Sequence, residues 1–334
     1  MKMGENRHFN GWRELRKEWV AALFGLLMAT ALPALVALRL APAEGGRSRA
    51  PGEDSPVLLC RHGGQAEECL PLERILVLSL AATNSSDVPA ASLAAQAVVL
   101  RSRAVWWMDY CGDFSGEAKE SDEEREVHTL CDSPSHGLPF RSEEELISLL
   151  GRAETVDRMQ VAEAAVRQTR GQVLTYEGEV IPAMLHTASG GMTRSVESLA
   201  WTRSVTTPET AAVTVWRIDA EDARAALAAE FGLRLSDDPA DWGIETVETE
   251  GIVSVVRVEE REISATVFAA ALGLPSGDLA VETLKGALVI TCTGQGSGCG
   301  LSRAGAAIYA EGGLSYGEIL AHYFPDCKIG RVWE

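Results

Sequence analysis

Two short stretches hold residue types that could do chemistry. In the first, His186 precedes Ser189-Gly190-Gly191 and Thr193. Glycine has no Cβ, so a ligand can come close to its backbone and find free N–H donors there. Ser-Gly-Gly can therefore receive a hydroxyl or the acetamido carbonyl of a sugar; the same run also makes an ordinary tight turn. His186 can bond such a ligand or order the loop. The second stretch is a glycine-rich loop ending in Gly296-Ser297-Gly298-Cys299-Gly300, followed by Leu301, Ser302 and Arg303. It is no phosphate cradle, because no Gly-Lys-Ser/Thr follows. Neither Cys299 nor Cys131 has a cationic sequence neighbourhood suited to lowering a thiol pKa, apart from Arg303 after Cys299, which disfavours a thiol hydrolase. Among carboxylates, Asp87 lies in the polar break 83–87 (TNSSD), just before a helix. The positive end of a helix dipole stabilises the ionised form and lowers its pKa, which suits a cap and not a general acid. Glu73, one helix earlier, is expected to be structural.

The elements that must position these residues follow from periodicity. Residues 71–82 read as a helix opened by a proline, and 89–108 as a second. Leu93, Ala97, Leu100 and Ala104 give the second helix one apolar face. Further helices are expected at 143–150 and 156–169. Strands flank the turn "EGE" within residues 172–187, and Ser189-Gly190-Gly191 should end that hairpin. A helix at 219–231, strands at 252–259 and 262–264, a short helix at 266–272, two strands within 279–292 and helices at 301–311 and 316–323 complete the pattern. Helix and strand mix without regular βαβ alternation, so the fold class is α+β with antiparallel strands.

The chain has 334 residues, 46% hydrophobic and 23% charged, with a formal net charge of −18. Such an acidic chain is a poor partner for nucleic acid, whose phosphates need clustered Lys and Arg. Residues 19–38 contain no charge, although Pro33 interrupts them. As a helix that run spans about 30 Å, the thickness of a bilayer core. Lys2, Arg7, Arg13, Arg16 and Lys17 lie before it. The expected organisation is a cytoplasmic start at 1–18, a single transmembrane anchor at 19–40, a linker at 41–56 and an extracytoplasmic domain at 57–334. A cleaved signal peptide is the alternative. Outside the membrane, seven cysteines could form local disulfides, Cys60 with Cys69, Cys111 with Cys131 and Cys292 with Cys299, leaving Cys327 over.

Four segments, in order, resemble the stage II sporulation protein D family, the SpoIID/LytB domain. Ala95, Gln96, Ala97, Val98 and Arg101 fit its Ala-Gln-Ala-Val-x-x-Arg helix. His186, Ser189, Gly190, Gly191, Thr193 and Trp201 fit its His-Ser-x-Ser-Gly-Gly-x-Thr…Trp signature. The stretch "ISATVFAAALGLPS" and the glycine-rich carboxyl-terminal segment fit the rest. The resemblance implies a membrane-anchored protein of peptidoglycan remodelling in sporulation and engulfment. It implies a glycan-binding cleft using Gln96, Arg101, His186, Ser189, Gly190, Gly191 and Thr193. It implies glycan strands as ligand, and stage II sporulation proteins P and M as partners. The family's activity is that of a lytic transglycosylase, which needs one carboxylic acid of raised pKa to protonate the glycosidic oxygen.

In the family that acid is a Glu between the first two helices. Here the matching residue is Thr83, with Asn84 next and Asp87 the weak substitute. A threonine hydroxyl cannot serve as the acid, and losing such a group typically costs roughly 10² to 10⁴ in rate. The resemblance therefore leaves two readings, a divergent cutting enzyme and a silent glycan-binding or scaffold subunit. Two further family positions differ: a His is Ser297 and a Gln is Arg303. Some members carry a Cys-x4-His-Cys cluster like a zinc site; Cys131 and His136 keep that spacing, Gly137 replaces the second Cys, and His128 and Cys111 lie nearby. The readings of these cysteines are zinc, a Cys111–Cys131 disulfide or free thiols.

Overall fold

The computed structural model describes residues 56–60, 68–111, 128–131, 138–249 and 252–333. The expected cytoplasmic start and anchor lie outside these residues, as does the linker except Pro56, which opens a strand. Among the described residues no helix is long and apolar enough to cross a membrane. All of them belong to the unit Pro51–Glu334.

Strands β1 (Pro56–Cys60) and β2 (Glu68–Pro71) lead into helix α1 (Leu72–Thr83), then α2 (Ala90–Cys111), β3 (His128–Cys131), α3 (Glu143–Leu150) and α4 (Arg152–Gln168). Strands β4 (Gln172–Tyr176), β5 (Glu179–Val180), β6 (Leu185–His186) and β7 (Val213–Asp219) follow, then α5 (Ala220–Phe231). Next come β8 (Glu245–Thr249), β9 (Ile252–Val258), β10 (Arg261–Ser264), α6 (Ala265–Ala271), β11 (Leu279–Leu284) and β12 (Ala287–Thr293). The chain closes with β13 (Leu301–Ser302), α7 (Arg303–Glu311), α8 (Tyr316–Tyr323) and β14 (Lys328–Arg331). Pairing is mostly antiparallel, with two short parallel ladders, β1–β3 and β6–β13. The α+β expectation holds.

Helix α2 organises the core, and it differs from the expected one-faced helix. Leu93, Ala94, Ala97, Leu100 and Ala104 pack with α1, α3 and α4, while Ala95, Val98 and Val99 pack with α7, α8 and β4. A helix covered on both sides is apolar all round. A second core joins β7 to β12 with α5 and α6 around Trp242, Phe268, Leu288 and Ile290. Helix α3 begins with a capping box from Ser142 and Glu145. Helix α4 starts at Arg152, earlier than its apolar pattern suggests, because Gly151 at φ 83° turns the chain straight from α3 into it.

The cysteine expectations change. The β1–β2 register sets Cys69 opposite Leu58 instead of Cys60, and β1–β3 sets Cys60 beside Cys131. Cys292 and Cys299 are free thiols, as is Cys327. Cys292 lies inside the second core while Cys299 lies in the glycine-rich loop, so the expected pair does not form.

Candidate functional site

Two loops far apart in sequence are zipped into one surface. The parallel pair β6–β13 aligns His186 with Ser302. Isolated bridges join Ala188 to Gln295 and Arg194 to Cys299. Glycine makes this approach possible. Gly300 sits at φ 73°, and a Cβ there would lie 2.1 Å from the Met184 carbonyl oxygen. At Gly296, φ 103°, a Cβ would lie 2.9 Å from that of His186. The hairpin expected to end at Ser189 closes earlier, between β4 and β5, so Ser189-Gly190-Gly191 belongs to a separate loop after β6.

Glu209 anchors that loop. Its Oε1 accepts from the Ser189 amide at 3.0 Å, the Ser189 hydroxyl at 2.7 Å and the Ser302 hydroxyl at 2.5 Å. Burial alone would raise this carboxyl, but the donors from Ser302 and Ser189 outweigh it and hold Glu209 below the usual carboxylate range. The Ser189 hydroxyl also meets that of Thr207 at 2.5 Å. Thr193 is wholly buried; its hydroxyl donates to the Arg203 carbonyl and accepts from the Val205 amide. So Ser189 and Thr193, expected to touch ligand, hold the loop from behind. Gly190 is the exposed member and Gly191 is half-buried. Nothing in the sequence singled out Glu209; its neighbours in sequence carry no signal, and it gains its role only through the β6–β13 pairing.

His186 is buried, with Nδ1 3.1 Å from the Cys299 carbonyl. A carbonyl only accepts, so Nδ1 carries the proton and Nε2 is a bare acceptor. That Nε2 has no partner among the described residues. Burial pushes His186 down to about 4, partly offset by the Cys299 carbonyl and Glu209, so the ring is neutral at neutral pH.

Thr83, the residue expected at the acid position, is tied into its own helix end. The Thr83 hydroxyl donates to the Ser79 carbonyl at 2.8 Å and receives the Asn84 side chain at 3.2 Å. Arg303 reaches across, donating to the Thr83 carbonyl at 2.8 Å and to the Thr187 hydroxyl at 2.8 Å. Asp87 is exposed and accepts from the Ser85 hydroxyl. That bond holds its carboxyl below the usual range, the wrong direction for a proton donor.

Two expected ligand contacts serve the interior instead. Arg101 is fully buried and makes a bidentate pair with Glu73, 2.7 and 2.6 Å, and also donates to the carbonyls of Thr169 and Gln172. This ties α1, α2, the end of α4 and β4 together. Gln96 is buried too; its amide donates to Ser92, and its carbonyl oxygen has no partner among the described residues. The structural expectation for Glu73 holds. For zinc, His136 lies outside the described residues and only the backbone of Cys131 lies within them; among the described residues no cluster of His, Cys, Asp and Glu is suited to a metal.

Beside Gly190 lies a small, partly open pocket lined by Ser189, Gly190, Arg194, Ser276, Asp278 and Gly298 among others. Burial raises the Asp278 carboxyl above the usual range, and Arg194 holds it back in part.

Comparison with known proteins finds similarity in sequence. Residues 61–176 match the family model of the stage II sporulation protein, SpoIID. The chain is 24% identical over 298 residues to stage II sporulation protein D of Bacillus subtilis, covering 87% of this chain and 83% of that one. It is 25% identical over 289 residues to the same-named protein of Bacillus amyloliquefaciens, covering 84% and 80%. An uncharacterized protein of Brachyspira hyodysenteriae is 26% identical over 180 residues, covering 50% and 48%. By sequence, the chain is similar to stage II sporulation protein D over most of its length, at low identity.

Proposed function

We propose that this protein acts in sporulation by binding the glycan strands of peptidoglycan, as a non-cutting subunit of the wall-remodelling machinery. The relatives named stage II sporulation protein D support the sporulation role. The observation that carries the binding role is the pinning of Ser189 by Glu209, which leaves Gly190 exposed on the rim of a pocket. Strands would contact the Gly190-Gly191 backbone. The Nε2 acceptor of His186 offers a hydroxyl a place once the loop opens slightly. Thr83 supplies no acid, and the cation at Arg303 beside it disfavours a positively charged, oxocarbenium-like transition state. A membrane anchor and stage II sporulation proteins P and M as partners belong to this same proposal.

One observation favours a second reading, that strands are still cut. Asp278, a carboxyl raised by burial, opens on the same pocket. Co-sedimentation of the full chain with purified glycan strands tests the primary reading. Wild type should pellet with the strands. Gly190→Ala, whose Cβ would meet Thr293 Cγ2 at 2.6 Å, should pellet several-fold less. Equal pelleting of the two would contradict a role for this loop, and no pelleting at all would sink the reading.

A further inference from the structure

Strand β7 is the outer strand of the sheet ordered β11–β12–β7, so one of its backbone edges is unpaired among the described residues. The far side of the same sheet, β11, lies against β8. The pairing of β7 with β12 runs from Val213 to Asp219 without a register shift. Two bonds fix which groups point outward. The Gly294 amide donates to the Ala212 carbonyl at 2.8 Å, and the Ala220 amide to the Gly286 carbonyl at 3.0 Å. Both pairs continue the β7–β12 register, and in an antiparallel ladder opposite residues exchange bonds at every second pair. The even-numbered residues therefore bond β12, while Val213, Val215 and Arg217 aim their N–H and C=O groups away from it.

This edge lacks the devices that usually blunt one. It carries no proline, lysine or register shift, and residues 213–217 are all exposed, Val213 by 58%, Val215 by 67% and Trp216 by 41%. Strand β8, the outer strand of another sheet, breaks its register between Val247 and Glu248. Side chains alternate along a strand, so Arg217 shares one face of β7 with the two valines. It makes no hydrogen bond or ion pair among the described residues. Free backbone groups, two exposed valines and an unpaired cation match an extended strand with apolar side chains and an acid opposite Arg217. A second copy of β7 does not supply that acid. Antiparallel self-pairing over the whole strand sets Arg217 opposite the other copy's Val215 and diagonal to the other copy's Arg217.

We propose that β7 receives an extended segment of a partner protein as an added antiparallel strand, with the pattern acid-x-apolar-x-apolar running opposite Arg217, Val215 and Val213. Backbone bonds to those three residues hold the segment, and the ion pair with Arg217 fixes its register. This surface goes beyond the glycan reading and does not require it.

Fluorescence anisotropy of the full chain with the labelled peptide Thr-Glu-Thr-Val-Thr-Val-Thr-amide tests it. The peptide should bind. Methylating the amide nitrogen of its first valine, which faces β7, should weaken binding at least roughly tenfold. The same methyl on the threonine between the valines, which faces solvent, should cost less than about threefold. Val215→Pro removes an outward N–H and no bond to β12, a place where an edge strand tolerates proline. It should keep the circular dichroism of wild type and abolish binding. Arg217→Glu should weaken the glutamate peptide and favour one with lysine in its place. The two methylated peptides decide the question even where a variant fails to fold. No binding at millimolar peptide overturns the proposal. So do equal effects of the two methyl groups, or a folded Val215→Pro that binds like wild type. A chain that dimerises through this edge, loses the dimer in Val215→Pro and ignores the peptide would name a second copy as the occupant and overturn it too. Peptide binding by a chain that pellets with no glycan would leave this surface standing and remove the glycan reading.

Discussion

The guanidinium of Arg303 donates to the carbonyl oxygen of Thr83 at 2.8 Å, joining the end of α1 to the start of α7 across 220 residues of sequence. Thr83 and Arg303, two of the positions at which the sequence departs from the pattern it resembles, are thereby in direct contact. An acid at the first position and a cation at the second are incompatible, because the cation would hold the carboxyl ionised.

That contact predicts the outcome of repair. Thr83→Glu alone should give no glycan scission, because the new carboxylate pairs with Arg303 and loses its proton. Thr83→Glu combined with Arg303→Gln should raise the yield of 1,6-anhydro ends, within the roughly 10² to 10⁴ that general acid catalysis contributes. The assay is chromatography of strands after digestion. Equal yields from the single and double variants would show that Arg303 does not govern this position.

Arg101 and Glu73 make a buried bidentate pair, 0% and 7% exposed at their side chains. Removing one partner strands the other charge in the core, so Glu73→Ala should cost about 3–5 kcal/mol. Urea unfolding measures this. Exposed pairs such as Arg257 with Glu245 and Glu262 provide the contrast, since their removal should change stability by less than about 1 kcal/mol.

Stability should fall in acid over a defined window. His186 sits near 6.5 when unfolded and about 4 when folded. Its lowered value means the contribution is complete above pH 6.5 and is lost as pH falls toward 4, about 3 kcal/mol in all. Glu209, also lowered, adds a loss that begins as pH falls through the carboxylate range. Asp278, raised, works in the opposite direction. Unfolding curves between pH 7 and 4 should show the decline, and His186→Gln should flatten it. An unchanged slope in that variant would place the titration elsewhere.

Glu209→Ala should both destabilise the fold and weaken glycan binding. Three donors from Ser189 and Ser302 lose one shared acceptor. Leaving buried donors unsatisfied costs about 1–3 kcal/mol each. Ser302→Ala removes only one donor and should cost less while leaving the Ser189 loop in place. Paired unfolding and sedimentation measurements check both effects.

Much of the frame was legible in the sequence because apolar periodicity and turn chemistry are local. Helix 143–150 is marked by Ser142 and Glu145, and the β4–β5 turn by Glu177-Gly178, both readable from adjacent residues. What stayed hidden depends on contacts between distant segments. Arg101 and Thr193 look like ligand contacts in a motif because a motif does not report depth; burial turned both into braces. Glu209 and Asp278 lie in unremarkable local sequence and acquire roles only when the loop at 294–300 docks on the loop at 187–194. Strand β7 escaped notice because nearly every side chain along it is exposed, so no alternation marks it.

The most direct test is incubation of the full chain with purified peptidoglycan glycan strands, followed by sedimentation and mass analysis of strand ends. Strands that pellet with the protein and keep their original ends are the predicted result. New 1,6-anhydro ends formed by the wild-type chain would contradict it.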